Sequence, residues 1–495
     1  MRQTTFEEFV ALAQRGTFVP VCREIMADLL TPVSAFLKIA EHSDYAFLLE
    51  SVEGGEQIAR YSFLGKDPFV VIRAAGTTCQ VERAGVTTTR DVPFLDLLRE
   101  VLSDLHAPSV DGLPRFTGGA VGYLGYRAAR TLASPPGVPD APVESAAGAS
   151  AEAARFMLFD TVLAFDHVKH RMLLIANARI GADDDLQALY QFACAKVEFL
   201  ERELERSLSR PVPPIVGPPA VDPVADRDAF ERCVTAAKRV IADGAVGHVV
   251  LSRPLDADLS VDSFTLYRAL RHENPSPYMY FLRMGSTAVV GSSPEMLVRV
   301  EGQHVEMHPV AGTRVRTGDE ILDAGAAETL RSDTRARAGH VAFVDQARSD
   351  LQSVCDYGTV RVPQYIELER YSQVMHLAST IEGRLADGKD RFDALAACFP
   401  AGTVSGAPRE AAMEVIERLE AVPRDLYAGA VGYMDFAGNL DFCTATDAIV
   451  TRDGRASLRV GAAVGPESDP SSVFAETAAR AEALLGAIRL AQDQS

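Results

Sequence analysis

The sequence predicts an α+β fold with a large antiparallel sheet rather than a doubly wound parallel one. Two observations predict it: runs of strands are broken by occasional helices without strict alternation, and the 495-residue chain is too long for one ordinary core. Two domains or large subdomains are therefore expected.

Taken in order, Tyr45 to Glu50 and Phe69 to Ile72 are apolar runs on either side of a Glu-Gly-Gly-Glu turn signal at 53–56. Phe94 to Leu105 has helical spacing, and a Gly-rich strand follows at 117–123. Residues 133–153, rich in Pro, Ala, Ser and Gly, are expected to be a loop. Phe156 to Phe165 and Met172 to Ala178 predict a hairpin, and 184–206 a long charged helix. The proline-rich segment 207–224 is expected to be a linker between an N-terminal domain, 1–206, and a C-terminal domain, 225–495. Beyond it a helix is predicted over 226–242, with Asp226 as N-cap. Strands are predicted over 247–252, 278–283, 287–300, 372–382, 427–436, 440–450 and 456–464, and helices over 319–331, 336–353, 408–420 and 471–490.

Composition narrows the function. A net charge of -19 argues against nucleic acid as a general partner, because phosphate binding needs a basic surface. The seven cysteines are scattered with no C-x-x-C pair, which speaks against a zinc or disulfide framework and fits a reducing cytoplasm. No apolar run is long enough to span a membrane, and the charged N-terminus does not read as a signal peptide.

Taken alone, Gly402-Thr403-Val404-Ser405-Gly406-Ala407-Pro408 is either a tight strand-to-helix turn or an anion site at a helix start. Several strings in order add to that reading. They are LLESVEGGEQIARYSFLG (48–65), NPSPYMYFL (274–282), VVGSSPEMLVRV (289–300), HPVAGTRVRTG (308–318), QVMHLASTIEG (373–383), CFPAGTVSGAPREAAMEVIERLE (398–420) and YAGAVGYMDFAGNLDFC (427–443). Over nearly its whole length the chain resembles component I, the large subunit, of anthranilate synthase, and more broadly the enzymes that use chorismate. The resemblance implies a substrate cleft between large antiparallel sheets, chorismate as substrate, Mg²⁺ as cofactor and ammonia from a separate glutamine amidotransferase subunit. An oligomer is expected, with no glutaminase domain fused to this chain.

The resemblance also implies roles for residues. Glu295 matches the acid that protonates the departing hydroxyl, a task that needs a raised pKa, and His376 matches the assisting histidine. Gly312, Thr313, Thr403, Tyr427, Gly429 and Gly461 match substrate-lining positions, although each glycine is equally readable as a turn or packing point. Glu50, Ser51, Asn274, Pro277, Tyr278 and Met279 match a regulatory tryptophan site; the alternative is that these strings hold the domains together.

The departures from the family pattern are as informative. The two main Mg²⁺-ligand positions are Gly339 and Val473, neither of which offers a side-chain oxygen, so no metal ligand is assigned. Asp447 stands where the family has a carboxylate-clamping Arg, unless it turns outward or pairs with a neighbouring Arg. Ala463 replaces the second glycine of a Gly-Ala-Gly string that begins at Gly461. His248 occupies a position held by Gln or Lys in relatives and is readable as a new base or as a structural histidine. Two functional readings follow. One is an enzyme acting on chorismate or a related enolpyruvyl or cyclic carboxylate without the usual Mg²⁺ site. The other is a non-catalytic tryptophan-binding or regulatory paralogue.

Overall fold

The computed structural model describes residues 2–52, 60–133, 152–207, 227–371 and 374–493. The expected loop at 133–153 and linker at 207–224 lie almost entirely outside them, as does the proposed cap Asp226. Two large antiparallel sheets form the fold. In order across the first are β1 (Phe18–Met26), β10 (Arg171–Arg179), β9 (Thr161–Asp166), β3 (Tyr61–Lys66), β2 (Tyr45–Glu50), β12 (Tyr278–Met284), β13 (Thr287–Ser293), β22 (Asp447–Arg452), β23 (Arg455–Val464), β11 (His248–Asp258) and β19 (Gly406–Ala407). The second runs β16 (Val310–Val315), β18 (Val374–Arg384), β15 (His304–His308), β14 (Met296–Glu301), β21 (Leu440–Ala445), β20 (Gly429–Asp435), β7 (Gly119–Leu124), β8 (Ala154–Phe159), β4 (Val70–Ala75), β5 (Thr78–Arg83) and β6 (Val86–Asp91). Strand β17 (Arg361–Arg370) pairs with β18. Each sheet draws strands from both sides of segment 207–224.

The sheets pack face to face because their strands bury both faces. Phe47, Phe63, Tyr280 and Leu282 of the first sheet meet Val121, Met157, Tyr433 and Cys443 of the second in one apolar layer. Their chain neighbours Leu48, Leu64 and Phe281 point the other way, into a core shared with helices α5 (Leu186–Glu205), α7 (Ser263–Glu273) and α12 (Pro470–Asp493). A further core joins the outer face of the second sheet to α3 (Phe94–Ser103), α9 (Thr334–Gln352), α10 (Arg391–Cys398) and α11 (Arg409–Leu419).

Three runs that the sequence predicts as continuous or nearly so are each broken between the sheets. The run 156–165 divides at Asp160 into β8 and β9, 287–300 at Pro294-Glu295 into β13 and β14, and 440–450 at Thr446 into β21 and β22. The first piece of the predicted hairpin thus splits, and only its second half, β9, pairs with β10. Apolar content alone does not reveal these corners, because both halves are buried on both faces.

Candidate functional site

Two of the three sheet crossings lie side by side, where the Thr444 N–H donates to the Glu295 carbonyl oxygen at 3.2 Å. Glu295 sits on the crossing from β13 to β14 and is 6% exposed. The Thr403 hydroxyl, on the turn after α10, lies 2.8 Å from both Glu295 carboxylate oxygens. Burial pushes the Glu295 carboxyl up to about 7, against the opposing pull of the Thr403 hydroxyl, the Val310 N–H, Thr444 and His308. A small pocket beside it is lined by Phe343, Gln346, Asp350, Gly402 and Thr403.

His376 lies on β18 opposite Thr313 of β16, and its Nδ1 is 2.9 Å from the Thr313 hydroxyl. Gly312 makes this contact possible: at φ +67° it forms the register shift between Ala311 and Thr313 that turns the hydroxyl toward the ring. Burial lowers the His376 pKa to about 4, and its Nε2 is buried with no hydrogen-bond partner. The ring is therefore held neutral, with one nitrogen free of hydrogen-bond partners. His248 opens β11 and packs edge-on against Phe343, with ring centroids 5.1 Å apart. Burial lowers its pKa, its Nε2 is also buried without a partner, and the Gly402 backbone supports its charged form.

Tyr427 and Gly461 fit together. A methyl group at Gly461 would come 2.2 Å from the Tyr427 hydroxyl. Gly429 has a packing role, since a Cβ there would come 2.2 Å from the Leu124 carbonyl oxygen. Ala463, two residues after Gly461, is exposed.

Asp447 begins β22 at the other crossing. It does not turn to solvent: its Oδ2 accepts from Asn274 Nδ2 at 3.2 Å. Burial raises its pKa, while Arg480 and Asn274 act to lower it. Arg480, on α12, is the cleft residue the sequence reading missed. Its positive field reaches Asp447, Tyr427 and His376, and it pairs with Glu476 at 3.1 Å. Helical spacing could have found it, since residue 480 lies seven places, two turns, beyond 473 on the same helix.

The residues at the two positions expected from the resemblance to hold magnesium do not fit that ion. Gly339 faces open space, whereas Val473 is 4% exposed within the core. The nearby carboxylates have other partners: Asp350 pairs with Arg409, Asp345 with Arg348 and Glu476 with Arg480. Among the described residues no group of three or more His, Cys, Asp or Glu could hold a metal ion.

The regulatory strings are adjacent, with Glu50 of β2 opposite Met279 of β12. Glu50 accepts from the Tyr267 hydroxyl at 2.5 Å and from Arg271 Nε at 3.1 Å, and burial raises its pKa. The Ser51 hydroxyl is buried without a hydrogen-bond partner. Pro277 and Met279 are buried, while Tyr278 donates to Asp441 Oδ1 at 2.9 Å.

Residues 45–486 match the family described as chorismate binding enzyme. Anthranilate synthase component 1 of Acetivibrio thermocellus is 38% identical over 492 residues, covering 98% of each chain. The Synechocystis protein of the same name is 40% identical over 511 residues, again with 98% of each chain covered. Among solved structures, anthranilate synthase component I from Streptococcus pneumoniae aligns with a TM-score of 0.71 at 29% identity, covering 93% of this chain and 99% of that one. The menaquinone-specific isochorismate synthase from Escherichia coli shares the fold, with a TM-score of 0.68 at 19% identity over 98% and 99% of the two chains. Among the described residues no helix is long and apolar enough to cross a membrane.

Proposed function

This chain belongs to the chorismate binding enzyme family, and from that premise we propose that it acts on chorismate or a related enolpyruvyl or cyclic carboxylate without a magnesium ion held in the family's manner. The observation that carries this reading is Glu295. It is a carboxyl group buried at a sheet crossing, poised near 7 and anchored by Thr403. A carboxylic acid that keeps its proton near neutral pH is suited to protonate a departing hydroxyl.

His376 acts as the second proton-transfer group through its unpartnered Nε2, with Thr313 fixing the ring by Nδ1. His248 lies across Phe343 as a further candidate base. Arg480 supplies the positive charge that an anionic ring requires, partly offset by Glu476 and Asp447. Tyr427, packed against Gly461, and the exposed Ala463 are proposed as substrate-lining residues. The similarity to anthranilate synthase component 1 proteins supports a specific overall reaction, in which chorismate and ammonia give anthranilate, pyruvate and water. It supports a separate glutamine amidotransferase subunit as the ammonia source. Tryptophan is the proposed effector, supported by the adjacency of Glu50 and Met279 and the unpaired Ser51 hydroxyl.

The second reading, a non-catalytic tryptophan-binding paralogue, is favoured by Val473 being packed into the core and by the acidic Asp447. One experiment separates the two. The protein is incubated with chorismate and ammonium, and products are read by mass spectrometry. Pyruvate release that is lost in Glu295→Gln supports the enzyme. No consumption of chorismate, together with tryptophan binding in calorimetry, supports the paralogue.

A further inference from the structure

We propose that Arg424 is a positioning residue for this cleft: one buried guanidinium locks together the Thr403 turn, strand β11 and Tyr427, and so sets how Glu295 is held. The inference rests on the reading of Glu295 as the proton donor.

The loop after α11 places the group, and Arg424 is 4% exposed there. Its Nη1 donates to the Val404 carbonyl oxygen at 2.8 Å, and its Nη2 to the Val250 carbonyl oxygen at 2.6 Å. Val404 is the chain neighbour of Thr403, whose hydroxyl anchors Glu295. Val250 lies on β11, the strand that His248 opens. The Val250 N–H donates to the Ser405 carbonyl oxygen at 3.0 Å, so the turn, the strand and the guanidinium form one closed set of bonds. Tyr427 completes the group. Its N–H donates to the Arg424 carbonyl oxygen at 3.0 Å. The guanidinium carbon lies 4.8 Å from the Tyr126 ring centre and 5.6 Å from the Tyr427 ring centre.

Glu420 balances the charge. Its carboxylate accepts from Arg424 Nε at 3.0 Å and from Nη2 at 2.6 Å, a two-point grip that fixes the guanidinium plane. Glu420 also accepts from the Ser252 N–H at 2.7 Å and from Arg459 Nη1 at 3.1 Å. A buried ion pair adds little net stability, because desolvation offsets the attraction. What this pair supplies is direction. A planar fork that reaches two carbonyls and two carboxylate oxygens at once holds three segments in one arrangement, which an ammonium on a flexible stem does not.

The effect on the cleft runs through Thr403. Its hydroxyl favours the ionised form of Glu295 against the burial that opposes it. The other groups acting on that carboxyl are the Val310 N–H, Thr444 and His308, and none of them accepts from or donates to Arg424.

The test uses the full chain, with Arg424→Lys as the variant and Arg459→Lys as its control. Arg459 grips the same Glu420, but its backbone partner is the Val422 carbonyl oxygen, outside the Thr403 turn and β11. Chorismate consumption with ammonium is measured beside thermal melts. Arg424→Lys is expected to lower kcat by about tenfold or more, and Arg459→Lys by less than about threefold, since a small misplacement of a reacting group is costly to rate. Equal losses of kcat in the two variants would overturn the proposal and leave Arg424 merely structural. The double variant Glu420→Gln/Arg424→Met removes both charges together and spares the fold an unpaired one, so it replaces Arg424→Lys should that variant not fold.

A second readout is independent of turnover. Carboxyl-labelled glutamate NMR, with Glu295 assigned by Glu295→Gln, follows the Glu295 titration. A Thr403 turn released by Arg424→Lys should move its midpoint upward by about half a pH unit or more, and Arg459→Lys should leave it in place. An unmoved midpoint in Arg424→Lys refutes the positioning role whether or not chorismate is consumed. A moved midpoint without chorismate consumption refutes the functional reading alone.

Discussion

Asn274 Nδ2 donates to Asp447 Oδ2 at 3.2 Å, tying the end of helix α7 to the sheet crossing beside the cleft. Asn274 belongs to the proposed tryptophan-binding string, and Asp447 stands at the position where the resemblance leads one to expect a carboxylate-clamping Arg. One hydrogen bond therefore connects the proposed sensor and the proposed substrate site, and it holds a buried acid next to Arg480.

Replacing Asp447 by Asn keeps the acceptor for Asn274 and removes the negative charge. One charge acting across about 8 Å at an effective dielectric near 20 is worth roughly 2 kcal/mol. Asp447→Asn is expected to bind chorismate at least about tenfold more tightly in calorimetry, allowing for screening. An unchanged Kd would mean that Asp447 lies outside the field of the substrate.

Glu295 makes the native state pH-sensitive. Its folded pKa, about 7, is raised above the ordinary glutamate value of 4.5. The group thus favours folding below the lower value, and that contribution is lost as pH rises through the upper one. Glu295→Gln carries no such penalty. The variant is expected to be more stable than the wild type by on the order of 2–3 kcal/mol at pH 8, and nearly equal at pH 4. Denaturant melts at the two pH values check this, and a gain confined to pH 4 would reverse the sign.

Gly461 and Tyr427 form a size-matched pair. Gly461→Ala should cost about 1–3 kcal/mol, the usual range for overpacking. Tyr427→Phe removes the atom nearest the new methyl, so the double variant should recover part of the loss. The Leu251 carbonyl oxygen, 2.9 Å from the same Cβ, should keep the recovery incomplete. Thermal melts of the three variants measure the coupling.

The two positions where magnesium ligands were expected should respond differently to an introduced carboxylate. Gly339→Glu enters open space on a helix, so stability should hold or rise by about 0.5 kcal/mol from helix propensity. Val473→Glu drives a carboxylate into the core and should cost roughly 2–4 kcal/mol. Equal melting temperatures for the two variants would mean that Val473 does not face the core.

Much of the architecture was legible in the sequence. Helices α5, α9, α11 and α12 fall close to their predicted spans, because their apolar spacing is helical and Pro408 and Pro470 mark two of the starts. The sheet crossings at Asp160, Glu295 and Thr446 were not legible. Burial on both faces erases the alternation that would mark a change of sheet, and only pairing partners reveal it. The motif residues Glu295, Thr403, His376 and Thr313 do come together in the two hydrogen-bonded pairs described above. Arg480 escaped notice although its spacing, two turns beyond Val473 on one helix, was there to be read; its charge partners, Asp447 and Glu476, mark it out only once the chain is folded.

The most direct measurement is chorismate consumption in the presence of ammonium, with EDTA in one arm and added Mg²⁺ in the other. With Gly339 and Val473 at the ligand positions, turnover should be the same in both arms. Turnover that vanishes with EDTA and returns only with Mg²⁺ would contradict the account, because the carboxylates now assigned to Arg409, Arg348 and Arg480 would then have to release those partners and hold the ion.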